Sequence, residues 1–186
     1  KIKGKEAADF FNSSEKELNR LHGLVMEMVD FANPNKYSTT RENLHDLVEK
    51  AAELLEKDLE RKKIEFSLVQ ADNVPAVFIN KNEIFEAILN IIQNAIESID
   101  HGGKIEVGIR PHPAGEPYVQ VAVADTGCGI PEKEQSRVFD RYYTTKEVGT
   151  GLGLAIVERV IEVHNGRLSL ASEVGKGTTF TIELPV

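Results

Sequence analysis

Asn90 and Asn94 stand four residues apart, so they share a face of any helix that carries them. An amide oxygen there can bind Mg²⁺, a hard ion that takes oxygen ligands and keeps waters for phosphates. The same pair reads as well as two satisfied buried amides. Asp125 ends a run of valines and alanines. An ionised carboxylate only accepts hydrogen bonds. It suits the exocyclic amine of adenine, whereas guanine presents a carbonyl that would leave it unpaired. By itself Asp125-Thr126-Gly127 is equally a plain strand-to-loop turn. Gly127 and Gly129 would let the backbone approach a flat base and adopt positive φ. The run Gly149-Thr150-Gly151-Leu152-Gly153-Leu154 leads straight into an apolar segment. Bare N–H groups at such a helix start, aided by its dipole, hold phosphate. Its spacing is neither a Rossmann fingerprint nor a P-loop. Lys146 just before it is a phosphate contact or a solvated loop lysine. In this order the runs suggest a nucleoside triphosphate site.

The elements that must position these residues follow from periodicity. Residues 41–60 read as a helix with Leu44, Leu47, Val48, Ala51, Leu54 and Leu55 on one side. Strands are predicted at 64–69, 77–79, 104–110 and 118–124. Asn80 or Asn82 caps a helix over about 82–99 that is apolar round most of its circumference and therefore buried. Residues 131–150 are polar around an aromatic knot of Phe139, Tyr142 and Tyr143. A helix over about 152–164 stops at His164-Asn165-Gly166. Segments 167–172 and 178–184 alternate around Val174-Gly175-Lys176-Gly177 as a hairpin. Strands and helices without βαβ repetition predict an α+β fold, a two-layer sandwich with a mixed sheet and helices on one face. Ahead of it, Leu18, Leu21, Val25, Met28 and Ala32 form a narrow apolar stripe on a helix that Asn33-Pro34 stops. The expected division is 1–36 and 37–186.

At 186 residues, 41% hydrophobic and 28% charged, the chain can bury a sizeable core. A net charge of −8 argues against a duplex nucleic acid partner. The single cysteine, Cys128, forms no internal disulfide and has no metal-ligand spacing. No apolar run is long enough to cross a bilayer, so no membrane contact is expected of this segment. The chain opens on Lys1 and reads as a cytoplasmic fragment of a larger protein.

Four boxes in order make a specific resemblance: Asn90-Ile91-Ile92-Gln93-Asn94-Ala95, then Asp125-Thr126-Gly127-Cys128-Gly129-Ile130-Pro131, then Phe139 with Tyr142-Tyr143-Thr144-Thr145-Lys146, then Gly149 to Leu154. They are similar to the N, G1, F and G2 boxes of bacterial sensor histidine kinases of the GHKL superfamily. Gly175-Lys176-Gly177-Thr178-Thr179-Phe180 and Leu184-Pro185 resemble that family's closing hairpin. The Thr144-Thr145-Lys146 form resembles its nitrogen-regulation branch. The match covers 37–186, and the Leu18–Pro34 stripe resembles the second helix of the family's dimerisation hairpin.

The resemblance implies a Bergerat-type ATP fold that binds Mg-ATP and passes the γ-phosphoryl group to a histidine. Asn94 would coordinate Mg²⁺ and Asn90 would sit beside the triphosphate. Asp125 would bind the adenine amine, with Gly127, Gly129 and Ile130 around the base and Thr178 in support. Residues 131–150 would be a lid anchored by Phe139. Thr144, Thr145, Lys146 and the backbone of Gly149, Thr150, Gly151, Leu152, Gly153 and Leu154 would reach the phosphates. Implied partners are a response regulator receiver domain and the protein's own dimerisation hairpin, in a homodimer whose parent chain could be membrane-anchored.

The chain departs from the family in two places. Where many members carry a lysine and then an aromatic residue after the Mg²⁺ asparagine, it has Glu97 and Ser98. That shifts phosphate neutralisation towards Lys146 and Arg141. None of His22, His45, His101, His112 and His164 has the acceptor's sequence context, so the acceptor is expected on a hairpin helix outside this chain. Three other functions share parts of the pattern: a GHKL-type ATPase, a non-catalytic nucleotide-binding module and an anti-sigma-type serine kinase. The ATPases of the superfamily carry a glutamate general base where Asn90 stands, and an amide cannot take a proton.

Overall fold

The computed structural model describes residues 38–145 and 150–186. The apolar stripe over 18–34, Lys146 and Gly149 lie outside the described residues. In the compact unit Thr39–Val186 the elements run β1 (Thr40–Glu42), α1 (Leu44–Lys62), β2 (Ile64–Gln70), β3 (Val77–Ile79) and α2 (Lys81–Ser98). Then come β4 (Gly103–Pro111), β5 (Tyr118–Asp125), α3 (Glu132–Gln135), α4 (Gly153–Val163), β6 (Arg167–Glu173) and β7 (Gly177–Pro185). The main sheet has strand order β2-β4-β5-β7-β6. Its β2–β4 pair is parallel and the other three pairs are antiparallel. Alternation along each strand builds the core. Ile105, Val107 and Ile109 of β4, Val119, Val121 and Val123 of β5, and Phe180, Ile182 and Leu184 of β7 are all buried. They meet α2, which also packs against α1 on one side and α4 on the other. The α+β sandwich read from the sequence is the fold observed.

Several local expectations are corrected. The first helix begins at Leu44, not at 41. Asn43 caps it, its side chain accepting the His45 N–H at 3.1 Å, and the residues before it extend. They form β1, which pairs with β3 in a separate two-stranded sheet, Arg41 opposite Phe78. Leu54 does not join the buried stripe of α1 and is 62% exposed, because the stripe runs through Ala51, Leu55 and Leu59. Helix α2 is less enclosed than its composition suggested. Ile84, Ala87, Ile88, Ile91, Ile92, Ala95 and Ile96 are buried, while Phe85 and Leu89 are only partly covered. The polar segment after Pro131 contains the short helix α3.

Both ends of α2 are tied to its neighbours. Asn80 is the N-cap, its Oδ1 accepting from the N–H groups of Asn82 (3.1 Å) and Glu83 (3.2 Å). At the other end Lys62 Nζ donates to the carbonyls of Ile96 (2.8 Å) and Ile99 (2.6 Å). A cation there satisfies two orphan acceptors and complements the dipole. Asn165 takes the left-handed conformation after α4, φ 54°, as the helix stop required.

Candidate functional site

Strand parity places Asp125. It continues the inward row Val119, Val121, Val123, so its carboxylate sits at the edge of the core, 8% exposed. Burial there pushes its pKa up. The Gly127 N–H, the Ser98 hydroxyl and the Thr178 N–H hold the ionised form in the opposite sense. The Gly127 N–H is 2.7 Å and the Ser98 Oγ 3.0 Å from the same oxygen, Oδ1. Burial is the largest of these effects and the pKa stays raised.

Asp125 opens onto a cavity of about 510 Å³ between α2, the 125–131 loop, the 134–145 segment and the start of α4. The wall from α2 is its polar edge, Asn90, Gln93, Asn94 and Glu97, spaced i, i+3, i+4, i+7. Asn90 and Asn94 are half-buried at this edge rather than enclosed in the apolar core. Asn90 Nδ2 donates to the Glu86 carbonyl at 2.9 Å. Its Oδ1 lies so near Gly153 that a Cβ there would come within 3.1 Å. Helix α4 starts at that glycine, with no side-chain cap from Leu152. Leu152 thus leaves the helix's first N–H groups, of the kind that can hold an anion, without a side-chain cap.

Of the residues read from the sequence, Asn90, Asn94 and Asp125 line this cavity together. Gly129, Ile130 and Thr178 join them from the loop and β7. Thr144, Thr145, Thr150, Gly151, Gly153 and Leu154 complete the far side. Gly127, Leu152 and Phe139 do not line it. Gly127 is not at positive φ, and a Cβ on it would collide with the Ser98 side chain and carbonyl, so its smallness serves packing against α2. Gly129 has φ +71°, as expected, and a Cβ would collide with the Glu173 carbonyl. Phe139 packs edge-on against Phe180 at 6.4 Å and Tyr143 lies under Arg137, while Tyr142 is 47% exposed.

Sequence reasoning missed the supports of this site. Ser172 Oγ accepts from the Ile130 N–H at 2.8 Å and lies 2.9 Å from Thr178 Oγ1. Gln135 of α3 donates to the carbonyls of Ile130 (3.0 Å) and Ser172 (2.9 Å). Together they fasten the loop after β5 to the β6–β7 hairpin. The Tyr142 N–H donates to the Gly151 carbonyl at 2.8 Å, joining the two flanks of the segment between them. Gln93 and Glu97 were legible in principle, because helical spacing puts them on the Asn90–Asn94 face. Nothing local marks the bond of Ser172 to Ile130, 42 residues away, or that of Gln135 to Ser172, 37 residues away. Among the described residues no cluster of three His, Cys, Asp or Glu can hold a metal ion. A cation here would rely on amide oxygen and on oxygens of its ligand.

Two histidines are placed in structural roles. His164 is buried, and His112 pairs with Glu183 at 3.3 Å beyond the core. No described helix is long and apolar enough to cross a membrane.

Known proteins resemble the chain at both levels. The model of the histidine kinase-, DNA gyrase B-, and HSP90-like ATPase family matches residues 79–186. Sensor histidine kinase ZraS of Escherichia coli (strain K12) is 33% identical over 183 residues, 98% of this chain but 39% of ZraS. The chain thus spans about two fifths of that relative's length. The catalytic domain of histidine kinase ThkA superposes with a TM-score of 0.72 at 30% identity, covering 79% of this chain and 95% of that one. ThkA solved in complex with the response regulator protein TrrA gives a TM-score of 0.70 at 25% identity, over 91% of this chain and 48% of that one.

Proposed function

The chain belongs to the histidine kinase-, DNA gyrase B-, and HSP90-like ATPase family, and we propose that it is the ATP-binding catalytic part of a sensor protein-histidine kinase. One arrangement carries the reading. A buried carboxylate at one end of the cavity faces an amide-lined helix edge and an uncapped helix N-terminus at the other. Asp125 accepts the adenine amine, and the backbone at Thr150–Leu154 meets the phosphates. Thr178, pinned beside Ser172, supports the base edge.

The donor set fits a hard divalent cation. Asn94 supplies a neutral amide oxygen on the cavity wall, and Asn90 stands one turn away. Mg²⁺ held there would neutralise triphosphate charge. The residues bind, orient and shield ATP, which is most of what phosphoryl transfer asks of a protein.

Transfer is favoured over hydrolysis by the surroundings of Asn90. No carboxylate occupies its place, and Glu86, one turn back, is exposed and outside the cavity lining. The place from which the superfamily's ATPases activate water therefore holds an amide that cannot take a proton. The γ-phosphoryl acceptor is a histidine on a dimerisation hairpin, and the phosphoryl group passes on to a receiver domain, the kind of partner with which ThkA was solved.

The test mixes the chain with radiolabelled ATP, Mg²⁺ and a separate hairpin carrying an acceptor histidine. Acid-labile label on the hairpin is expected. Steady phosphate release with no labelled protein would refute transfer.

A further inference from the structure

Ser98 is the last residue of α2, and it makes three contacts with the base-reading end of the cavity. Its Oγ is 3.0 Å from Asp125 Oδ1. Its carbonyl accepts the Cys128 N–H at 3.1 Å. Its side chain and carbonyl fill the space that a Cβ on Gly127 would need. The carbonyls on either side of it, Ile96 and Ile99, are both held by Lys62 Nζ, so the helix end is fixed from outside the cavity.

We propose that Ser98 is a positioning residue for nucleobase selection: its hydroxyl, with the Gly127 N–H, occupies Oδ1 of Asp125 and turns Oδ2 to the exocyclic amine of adenine. This deepens the ATP reading above and rests on it. Two donors saturate the lone pairs of Oδ1, so a ligand donor meets the other oxygen. The hydroxyl also lies 2.8 Å from the Ala95 carbonyl, and it has one proton to give. An ionised Asp125 draws that proton towards Oδ1. A protonated Asp125 cannot accept the adenine amine in the same way and releases it to Ala95. Serine thus links the ionised state of the carboxylate to the orientation that reads the base. The donors around Asp125 come from α2 (Ser98), the following loop (Gly127) and β7 (Thr178). The titratable groups lining the same cavity are Glu97, Cys128, Glu134 and Tyr143.

The experiment measures binding of ATP and of ITP, whose 6-oxo group offers no amine, to the purified 186-residue chain and to Ser98→Ala across pH. The variant should bind ATP about five- to tenfold more weakly while its ITP affinity changes by less than about twofold. ATP binding should also be lost at a higher pH in the variant, because removing a donor to the carboxylate favours its protonated form. A merely structural serine would weaken both nucleotides together, and that result would overturn the proposal. So would a variant with the ATP affinity and pH profile of the parent. The ITP measurement serves as the internal check that the variant is folded. A parent chain that binds neither nucleotide would overturn the ATP reading and this proposal with it; a parent that binds ATP beside an indifferent variant would overturn this proposal alone.

Discussion

The Nε2 of His164 accepts the backbone N–H of Asn80 at 2.9 Å. A backbone N–H can only donate, so Nε2 carries no proton in this pair. Nδ1 must then bear the hydrogen that it shares with the Val160 carbonyl at 2.7 Å. One ring joins the C-cap of α4 to the N-cap of α2, two helices that pack against each other and both line the cavity. His164→Ala removes both bonds and leaves a void in a buried site, so it should cost about 2–4 kcal/mol in urea unfolding. His45→Ala, at the exposed start of α1, should stay within about 0.5 kcal/mol. Equal effects would contradict the role given to His164.

Asp125 makes a prediction whose sign differs from that of an ordinary salt-bridged aspartate. Its folded-state pKa is raised by burial. The stability linked to it is therefore fully present below the unfolded pKa and is lost as pH rises through the folded value. Asp125→Asn keeps an oxygen for the Gly127 and Ser98 donors but carries no charge. The stability of the variant relative to the parent should rise between about pH 4 and about pH 7, while ATP binding disappears. Urea titrations at both pH values, with calorimetry for the nucleotide, check both halves. A variant that loses ground as pH rises would reverse the electrostatic account.

Gly177 and Gly175 flank one residue of the same hairpin and should respond differently to alanine. Both have positive φ, +119° and +79°. A Cβ on Gly175 meets nothing within 4 Å, so only backbone strain opposes it, about 1 kcal/mol. A Cβ on Gly177 collides with the Asp125 carbonyl, and its φ is the harsher of the two. Gly177→Ala should cost about 3 kcal/mol or more and weaken nucleotide binding through Asp125. Paired thermal melts and ATP titrations distinguish the two.

Metal dependence should reside in Asn94. ATP affinity of the parent chain should fall about tenfold or more when Mg²⁺ is chelated. Asn94→Ala should show the weaker affinity with or without the metal. A variant that keeps full Mg²⁺ dependence would place the cation elsewhere.

Much of the molecule follows from local chemistry. The run of valines and alanines placed Asp125 at the end of a strand before any fold was known, and the structure shows that it continues the inward row of Val119, Val121 and Val123. Helical spacing put Asn90 and Asn94 on one edge, and Asn165-Gly166 marked where α4 must stop. These readings succeeded because each depends on residues within a few positions of one another, where backbone geometry alone sets direction. The strand order β2-β4-β5-β7-β6 has no such signal, nor does the pairing of Thr40–Glu42 with β3. Leu54 looked buried, because composition does not say where the apolar stripe of a helix is centred. The glycines show the same divide. Sequence marked Gly127 and Gly129 as positions that must be small, and the structure adds a reason of its own, close packing against Ser98 and Glu173. The sequence by itself determined which groups could read a nucleotide. Only the tertiary structure decided that Ser98, 27 residues from Asp125, meets its carboxylate, because such contacts depend on how α2 lies against β5 and on nothing in either segment alone.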